Sequence, residues 1–251
     1  MIQVVEQKML FYIIFFAVAL IYSMVGLGGG TAYTAILTVY KTPYEVVPST
    51  SLFLNTIVSL ISFLNYRFHF PSERKFLISF IFLLGGGGAI LGANLKLQEK
   101  TFFIILGFAL VSSAILSLLQ DFGMRERIKF KIHQNLLPFI SFLVGFIAGI
   151  TGIGGGIYLS PLLIFSGFPT KEIASITSLY IFLNSALGFS AKFLKDKFDF
   201  NFALPILFFV ILGALIGSVL GSLKLKPKFI KFLLNLIILN IGGYSLWRGI
   251  T

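Results

Sequence analysis

The sequence predicts an all-α, polytopic membrane protein made of two homologous helical repeats. About eight spanning segments are expected, with a glycine-broken or re-entrant first segment in each repeat. Three observations predict it: the composition, the spacing of the apolar runs, and an ordered internal repetition. Of 251 residues, 57% are hydrophobic, 12% are charged and 30 are Phe, and the mean hydropathy is +0.97. A soluble domain carries about 25% charged residues, so this chain cannot cover a water-facing surface. A soluble enzyme, a disordered chain and a nucleic-acid binder are all excluded. A spanning helix needs roughly 20 apolar residues, so eight would use about 160 and leave about 90 for loops and ends. Residues 1–251 therefore read as a single transmembrane domain.

The net charge of +11 fits this class, because Lys and Arg fall in short interruptions where they orient helices and meet anionic lipid. The chain has no cysteine, so disulfides, thiol catalysis and Cys-bound metal are out. The first apolar stretch lacks a small-residue cleavage pattern and reads as a retained helix rather than a removed leader.

Apolar runs cover roughly 9–40, 46–66, 76–95, 101–119, 136–166, 173–191, 202–223 and 229–247. The first and fifth are too long for one ordinary helix. Each is cut by glycines, at Gly26-Leu27-Gly28-Gly29-Gly30 and at Gly152-Ile153-Gly154-Gly155-Gly156. One glycine weakens a helix by about 1 kcal/mol relative to Ala, so three in succession predict a break.

The two breaks belong to a longer repetition. Gly26–Gly30 and Pro43 match Gly152–Gly156 and Pro169 at an offset of 126. Glu45, Thr50 and Ser51 match Glu172, Thr177 and Ser178 at 127. Gly85, Ala89 and Ala93 match Gly213, Gly217 and Gly221 at 128. Repeat 1 is thus 1–119, the connecting loop 120–135 and repeat 2 136–251. If each long first segment crosses once, the repeats are parallel. If it folds back, each repeat has an odd number of passes and the repeats are inverted. Lys and Arg split 12 to 8 between alternate loops, which does not decide between the two.

Paired interrupted segments in repeat-built membrane proteins point to a binding site where the repeats meet. A helix start offers free N–H groups and partial positive charge, and glycine lets an anion approach the backbone. Gly28, Gly29, Gly30 and Thr31, with Gly154, Gly155 and Gly156, are therefore candidate anion-binding residues. Tight helix crossing is the other reading of the same glycines. Thr50, Ser51, Thr177 and Ser178 open the next runs, where they serve as helix caps or as uncharged donors to an oxyanion. Asn55 and Asn184 lie further along the same runs and need partners if buried. The stripes Gly85-x3-Ala89-x3-Ala93 and Gly213-x3-Gly217-x3-Gly221 read as close-packing surfaces, between the halves or between two copies. All nine acids and both His lie outside or at the margins of the apolar runs, so a buried proton relay is not expected. No nucleotide-binding Gly-x4-Gly-Lys motif or metal-ligand cluster is present, so neither an ATP-driven motor nor a metal cofactor is expected.

The duplicated Gly-x-Gly-Gly-Gly, followed by Pro and then Thr-Ser, resembles the TauE/SafE sulfite exporter family, also called the 4-toluene sulfonate uptake permease family. The second half is the better match: Gly152 through Leu163 with Ser160-Pro161, then Gly167, Ala174 and Thr177-Ser178. The first half departs from it, with Ala35 at the place of Pro161 and Lys41 at the place of Gly167. The resemblance implies two homologous halves and carriage of sulfite, sulfonates or related organosulfur anions. The resulting expectation is a secondary transporter, not an enzyme, in a prokaryotic inner membrane. It would move a small anion by alternating access between the repeats. A passive anion channel is the alternative, and a membrane-embedded enzyme a more distant one. The expected partners are the anion, lipid and a second copy of the chain, with no nucleic acid. No cofactor is expected, and Na⁺, H⁺ carried on the substrate, or no coupling ion are all open.

Overall fold

The computed structural model describes residues 2–121, 132–194, 198–223 and 228–251. Among these residues there are ten α-helices and no strand: α1 (Ile2–Ser23), α2 (Gly30–Val39), α3 (Val46–Tyr66), α4 (Lys75–Ala93), α5 (Glu99–Asp121), α6 (Leu137–Thr151), α7 (Gly156–Phe165), α8 (Thr170–Phe193), α9 (Phe200–Ser222) and α10 (Lys228–Ile250). Six of them, α3, α4, α5, α6, α8 and α9, are long and apolar enough among the described residues to cross a membrane. Most of the expected connecting loop, 122–131, lies outside the described residues.

The polarity of the molecule is inverted relative to a soluble protein. Large apolar side chains such as Phe76, Leu83, Phe108, Phe139 and Phe208 stand exposed, while Ser49, Ser51, Asn55, Ser59, Ser141, Thr177 and Ser185 are buried. In hydrocarbon the exposed face has to be apolar, and polar groups have to find partners inside.

Both long apolar runs break where the glycines predict. Helix α1 ends with Gly26 in the left-handed region at φ 74, and the Leu27 N–H returns to the Tyr22 carbonyl (2.9 Å). That is the closing pattern of a glycine-terminated helix. After the break the chain turns back. Phe15 of α1 stacks on Tyr33 of α2 at 5.3 Å, and Phe11 meets Tyr40, beyond the end of α2, at 4.5 Å. The short helix therefore runs antiparallel to the long one and reaches only half its depth. In the second half, α6 ends at Gly152 (φ 85) and α7 starts after Gly155.

The directions of the other helices follow from their contacts. Asn55 of α3 bonds Ser185 of α8, and Tyr66 at the far end of α3 reaches Met24, beside Gly26, which itself abuts Ala174 near the start of α8. Helices α3 and α8 are thus antiparallel. Helices α5 and α10 are antiparallel too, tied by Asn235–Ser117 (2.8 Å) near one end and Arg248–Glu99 (2.6 Å) at the other.

The small-residue stripes hold first helices to fourth helices across the chain. A Cβ on Gly145 would overlap the Gly85 carbonyl, and one on Gly149 the Ala89 carbonyl. A Cβ on Gly213, Gly217 or Gly221 would overlap the carbonyls of Phe16, Leu20 or Met24. So α4 lies on α6 and α9 lies on α1, each pair running parallel, and the stripes are used within one chain. Gly87 and Gly243 are different, because nothing lies within 4 Å of an added Cβ. Gly87→Ala and Gly243→Ala should each stabilise the protein by about 0.5–1 kcal/mol, since only helix entropy changes. Thermal unfolding in detergent checks this, with a lowered midpoint the contrary result.

Candidate functional site

The two breaks meet in the middle of the bundle. Gly29 and Gly155 are the residues before α2 and α7, at φ 87 and φ 80. A left-handed N-terminal corner of this kind suits glycine alone. Helix α2 then runs outward to one end and α7 to the other. Their N-terminal ends lie against each other: a Cβ on Gly30 would come within 2.6 Å of the Ile153 carbonyl.

One side chain joins the two breaks. Asn55 is fully buried. Its Oδ1 accepts from the Gly30 N–H (3.1 Å), and its Nδ2 donates to the Ser185 hydroxyl (3.0 Å). It also touches Gly28 and Gly154, since a Cβ on either would overlap its amide. The first N–H groups of a helix have no partner within the helix. In α2 an amide oxygen supplies one. At the start of α7 the corresponding place, 126 residues on, is Ile181, which packs on Gly156 and Gly154. The two helix starts are therefore chemically unequal, one polar and one apolar.

A second set of bonds latches each break to the opposite half. Ser51 of α3 reaches the Gly152 carbonyl (3.0 Å) and the Gly30 carbonyl (3.0 Å) and accepts from Thr34 (2.9 Å). Thr177 of α8 reaches the Gly26 carbonyl (3.4 Å) and its own helix at Ile173 (2.6 Å). Gly152 rests on Pro48, and Gly26 on Ala174. Contact by contact, Ser51 corresponds to Thr177 and Pro48 to Ala174. These contacts are thus related by 126 residues, whereas Thr-Ser aligns with Thr-Ser at 127. Ser178 accordingly turns to Ser175 in its own helix (3.0 Å). Thr50 is buried with its hydroxyl unpartnered among the described residues. Thr31 is buried in the first turn of α2.

Asn184 is not with Asn55. It lies one turn beyond Tyr180, whose hydroxyl donates to the Ser141 carbonyl (2.7 Å). The Asn184 carboxamide is buried, and neither of its polar atoms completes a hydrogen bond among the described residues. The structure thus gathers Gly28, Gly30, Ser51, Asn55 and Gly154 at one point, with Thr177 bracing from the side, and leaves Asn184 apart. Thr34, Ile181 and Ser185 join the site unforeseen. Thr34 carried a signal, standing one turn after Gly30, and Ser185 matches Ser59 in the 126 register.

At the crossing, a Cβ added to Gly28, Gly30 or Gly154 would meet a neighbour within 2.6 Å. A cavity of about 460 Å³ lies at the end where α10 finishes, lined by Lys41, Thr42, Pro43, Tyr44, Glu45, Glu99, Tyr244 and Arg248. Burial, with the Glu45 and Glu99 carboxylates beside it, holds the Tyr44 phenol above its ordinary range. The same phenol donates to the Glu45 carboxylate. No group of three or more His, Cys, Asp or Glu that could hold a metal occurs among the described residues.

The chain is similar along nearly its whole length to proteins named as probable membrane transporters. One from Sinorhizobium fredii is 28% identical over 239 residues, covering 94% of this chain and 96% of that protein. One from Haemophilus influenzae is 30% identical over 243 residues, covering 87% and 88%. One from the archaeon Methanocaldococcus jannaschii is 27% identical, covering 94% of each. No solved structure matches the chain. Residues 11–245 match the model of the family described as sulfite exporter TauE/SafE, and this multi-pass membrane chain belongs to that family of membrane transporters.

Proposed function

We propose that the protein is a secondary transporter of small anions, sulfur oxyanions or organosulfonates, working by alternating access between two inverted repeats. One observation carries the reading: two half-length helices from opposite halves start at the same central point, with glycine corners and Asn55 between them. Each helix start brings a partial positive charge of about half a unit. The Asn55 amide oxygen occupies the position in which an oxyanion would receive the Gly30 N–H. Gly28, Gly29, Gly30, Thr31 and Asn55, with Gly154, Gly155 and Gly156, would form the anion shell. Thr50, Ser51, Thr177, Ser178 and Asn184 would line its approaches from either side.

The helix directions support inverted repeats. Pairing α1 with α6, α2 with α7 and so on to α5 with α10 exchanges the α4–α6 contact for the α9–α1 contact. It maps α3–α8 and α5–α10 onto themselves with reversed sense. Repeat 1 would be 1–119 and repeat 2 136–251, with α1 and α10 meeting the same end of the bundle. Alternating access would move α2 and α7 about their glycine corners, exposing the centre to one end and then the other.

The test is flux in liposomes reconstituted with purified protein, with sulfite, thiosulfate, sulfoacetate, taurine, sulfate and unrelated carboxylates. Saturable flux accelerated by anion on the far side is the expected result. Single-channel currents without saturation would replace the carrier by a pore. Gly29→Val should abolish flux, because its Cβ would meet the Tyr33 ring at 2.9 Å at a φ of 87 that valine does not adopt.

Orientation follows from the same topology. The connection from α5 to α6 carries Arg125, Arg127, Lys129 and Lys131 in sequence, and joins helices at the end away from Ile250. By the positive-inside rule that end faces the cytoplasm of a prokaryotic cell, and both termini face outward. A C-terminal alkaline phosphatase fusion should be active and a C-terminal cytoplasmic reporter silent. The reverse pattern would turn the molecule over.

A further inference from the structure

The 460 Å³ cavity has a feature that packing alone does not explain. Helices α2 and α7 end in the same backbone corner. In the first, the Thr42 N–H reaches the Leu37 carbonyl (3.1 Å) and the Lys41 N–H that of Thr38 (3.1 Å). In the second, the Phe168 N–H reaches the Leu163 carbonyl (3.1 Å) and the Gly167 N–H that of Ile164 (3.0 Å). Each corner residue is left-handed, Gly167 at φ 84 and Lys41 at φ 55. Lys41 alone among the described non-glycine residues has positive φ. Glycine takes this conformation freely and lysine does not. An outlier held where the equivalent corner uses glycine points to a use for the side chain.

That side chain lines the cavity with three other charged groups. Arg248 is committed: it pairs with Glu99 (2.6 Å) and its guanidinium lies over the Phe103 ring (4.1 Å). Lys41 and Glu45 remain. They carry opposite charges, stand four residues apart in one link, line the same hollow, and form no ion pair with each other. An oxyanion beside Lys41 and an ammonium beside Glu45, whose carboxylate also receives the Tyr44 hydroxyl, would complete both. Exposed aromatics Tyr244 and Trp247 stand at the same end, where such rings favour the membrane–water boundary.

We propose that this hollow is a second binding site, separate from the central one, that takes a small zwitterion bearing an ammonium and an oxyanion on one short chain. Two sources offer that chemistry: a free amino-sulfonate or amino acid, and the headgroup of phosphatidylethanolamine. The cavity is of a size that holds small organic ligands. It lies on the link that follows α2, so its occupant touches the segment that carries the half-helix.

Calorimetric titration of the purified protein with taurine, ethanesulfonate and ethylamine tests the site. Taurine should bind at least tenfold more tightly than either singly charged analogue. Lys41→Gly places in this corner the residue its counterpart already uses, so the fold is kept. It should weaken taurine binding at least tenfold, while Lys41→Arg retains most of it and Gly87→Ala, on α4 with nothing near its added carbon, leaves it unchanged. If the lipid is the source, native mass spectrometry from membranes of mixed phosphatidylethanolamine and phosphatidylcholine should show the ethanolamine lipid on wild type. The same lipid should be absent from Lys41→Gly. Either pattern supports the site and names its source. Equal binding of ethanesulfonate and taurine, taurine binding weakened as much by Gly87→Ala as by Lys41→Gly, or a Lys41→Gly protein unchanged in both assays overturns it.

Discussion

Gly154→Val should eliminate anion flux and leave a protein that unfolds at markedly lower temperature. Two penalties act on one residue. Gly154 sits at φ 79, where an L side chain costs about 1–2 kcal/mol. Its Cβ would also overlap the Asn55 amide and come within 3.1 Å of the Ser185 hydroxyl. Overpacking a filled core adds about 1–3 kcal/mol, and here the neighbour that has to move joins the two breaks. Gly167→Ala is the control that separates the penalties. It has a similar φ of 84 but nothing within 4 Å of the added carbon. It should show the backbone cost of about 1–2 kcal/mol and retain flux. Thermal unfolding in detergent and liposome flux, measured on both variants, check this. Equal flux from Gly154→Val and wild type would remove the glycine crossing from the mechanism.

Substitution of Asn55 should have the second largest effect, and its sign depends on the replacement. Asn55→Ala strands the Gly30 N–H and frees the Ser185 hydroxyl at a fully buried point. An unsatisfied buried polar group costs about 1–3 kcal/mol. Asn55→Asp is the more telling change. A carboxylate still accepts from the Gly30 N–H and sits favourably at a helix start, so assembly should survive better than in the alanine variant. The same negative charge would repel an anionic substrate from the position it has to occupy. Anion affinity should fall at least tenfold in Asn55→Asp. Asn55→Gln, which keeps a neutral amide, should bind more tightly than the aspartate variant. Binding titrations at fixed ionic strength on the three proteins test this; anion affinity unaltered by the aspartate would place the anion elsewhere.

Much of this was legible in the chain itself. Glycine triplets inside apolar runs broke helices at Gly26 and Gly152, whereas the four glycines at Gly85–Gly88 stay helical within α4, where close packing on α6 and α8 holds them. The stripes at Gly85 and Gly213 declared close contact, and their positions alone left open whether two halves or two copies meet there. What sequence patterns did not reveal were facts of three-dimensional register. Thr-Ser aligns with Thr-Ser at an offset of 127, whereas the residues that touch Gly152 and Gly26, Pro48 and Ala174, lie 126 apart. Asn55 and Asn184 are alike in type but not at aligned positions, and Asn184 falls beside Gly86 of α4 rather than on the crossing glycines. Ile181, which packs on Gly154 and Gly156, has no polar side-chain atom to mark it in the sequence. The cavity at Lys41 was hidden for another reason. Its walls come from three separate stretches of chain, and the left-handed corner that shapes it is marked by glycine in only one half.

The reciprocal latching has a consequence for biosynthesis. Gly26 leans on Ala174, and the Asn55 amide donates a hydrogen bond to the Ser185 hydroxyl, so the early part of the polypeptide contains a centre that only later residues complete. A ribosome releasing this chain leaves a polar amide waiting in lipid until the last third of the message has been read. Supplied as two separate polypeptides, the fragments should survive proteolysis only when made together.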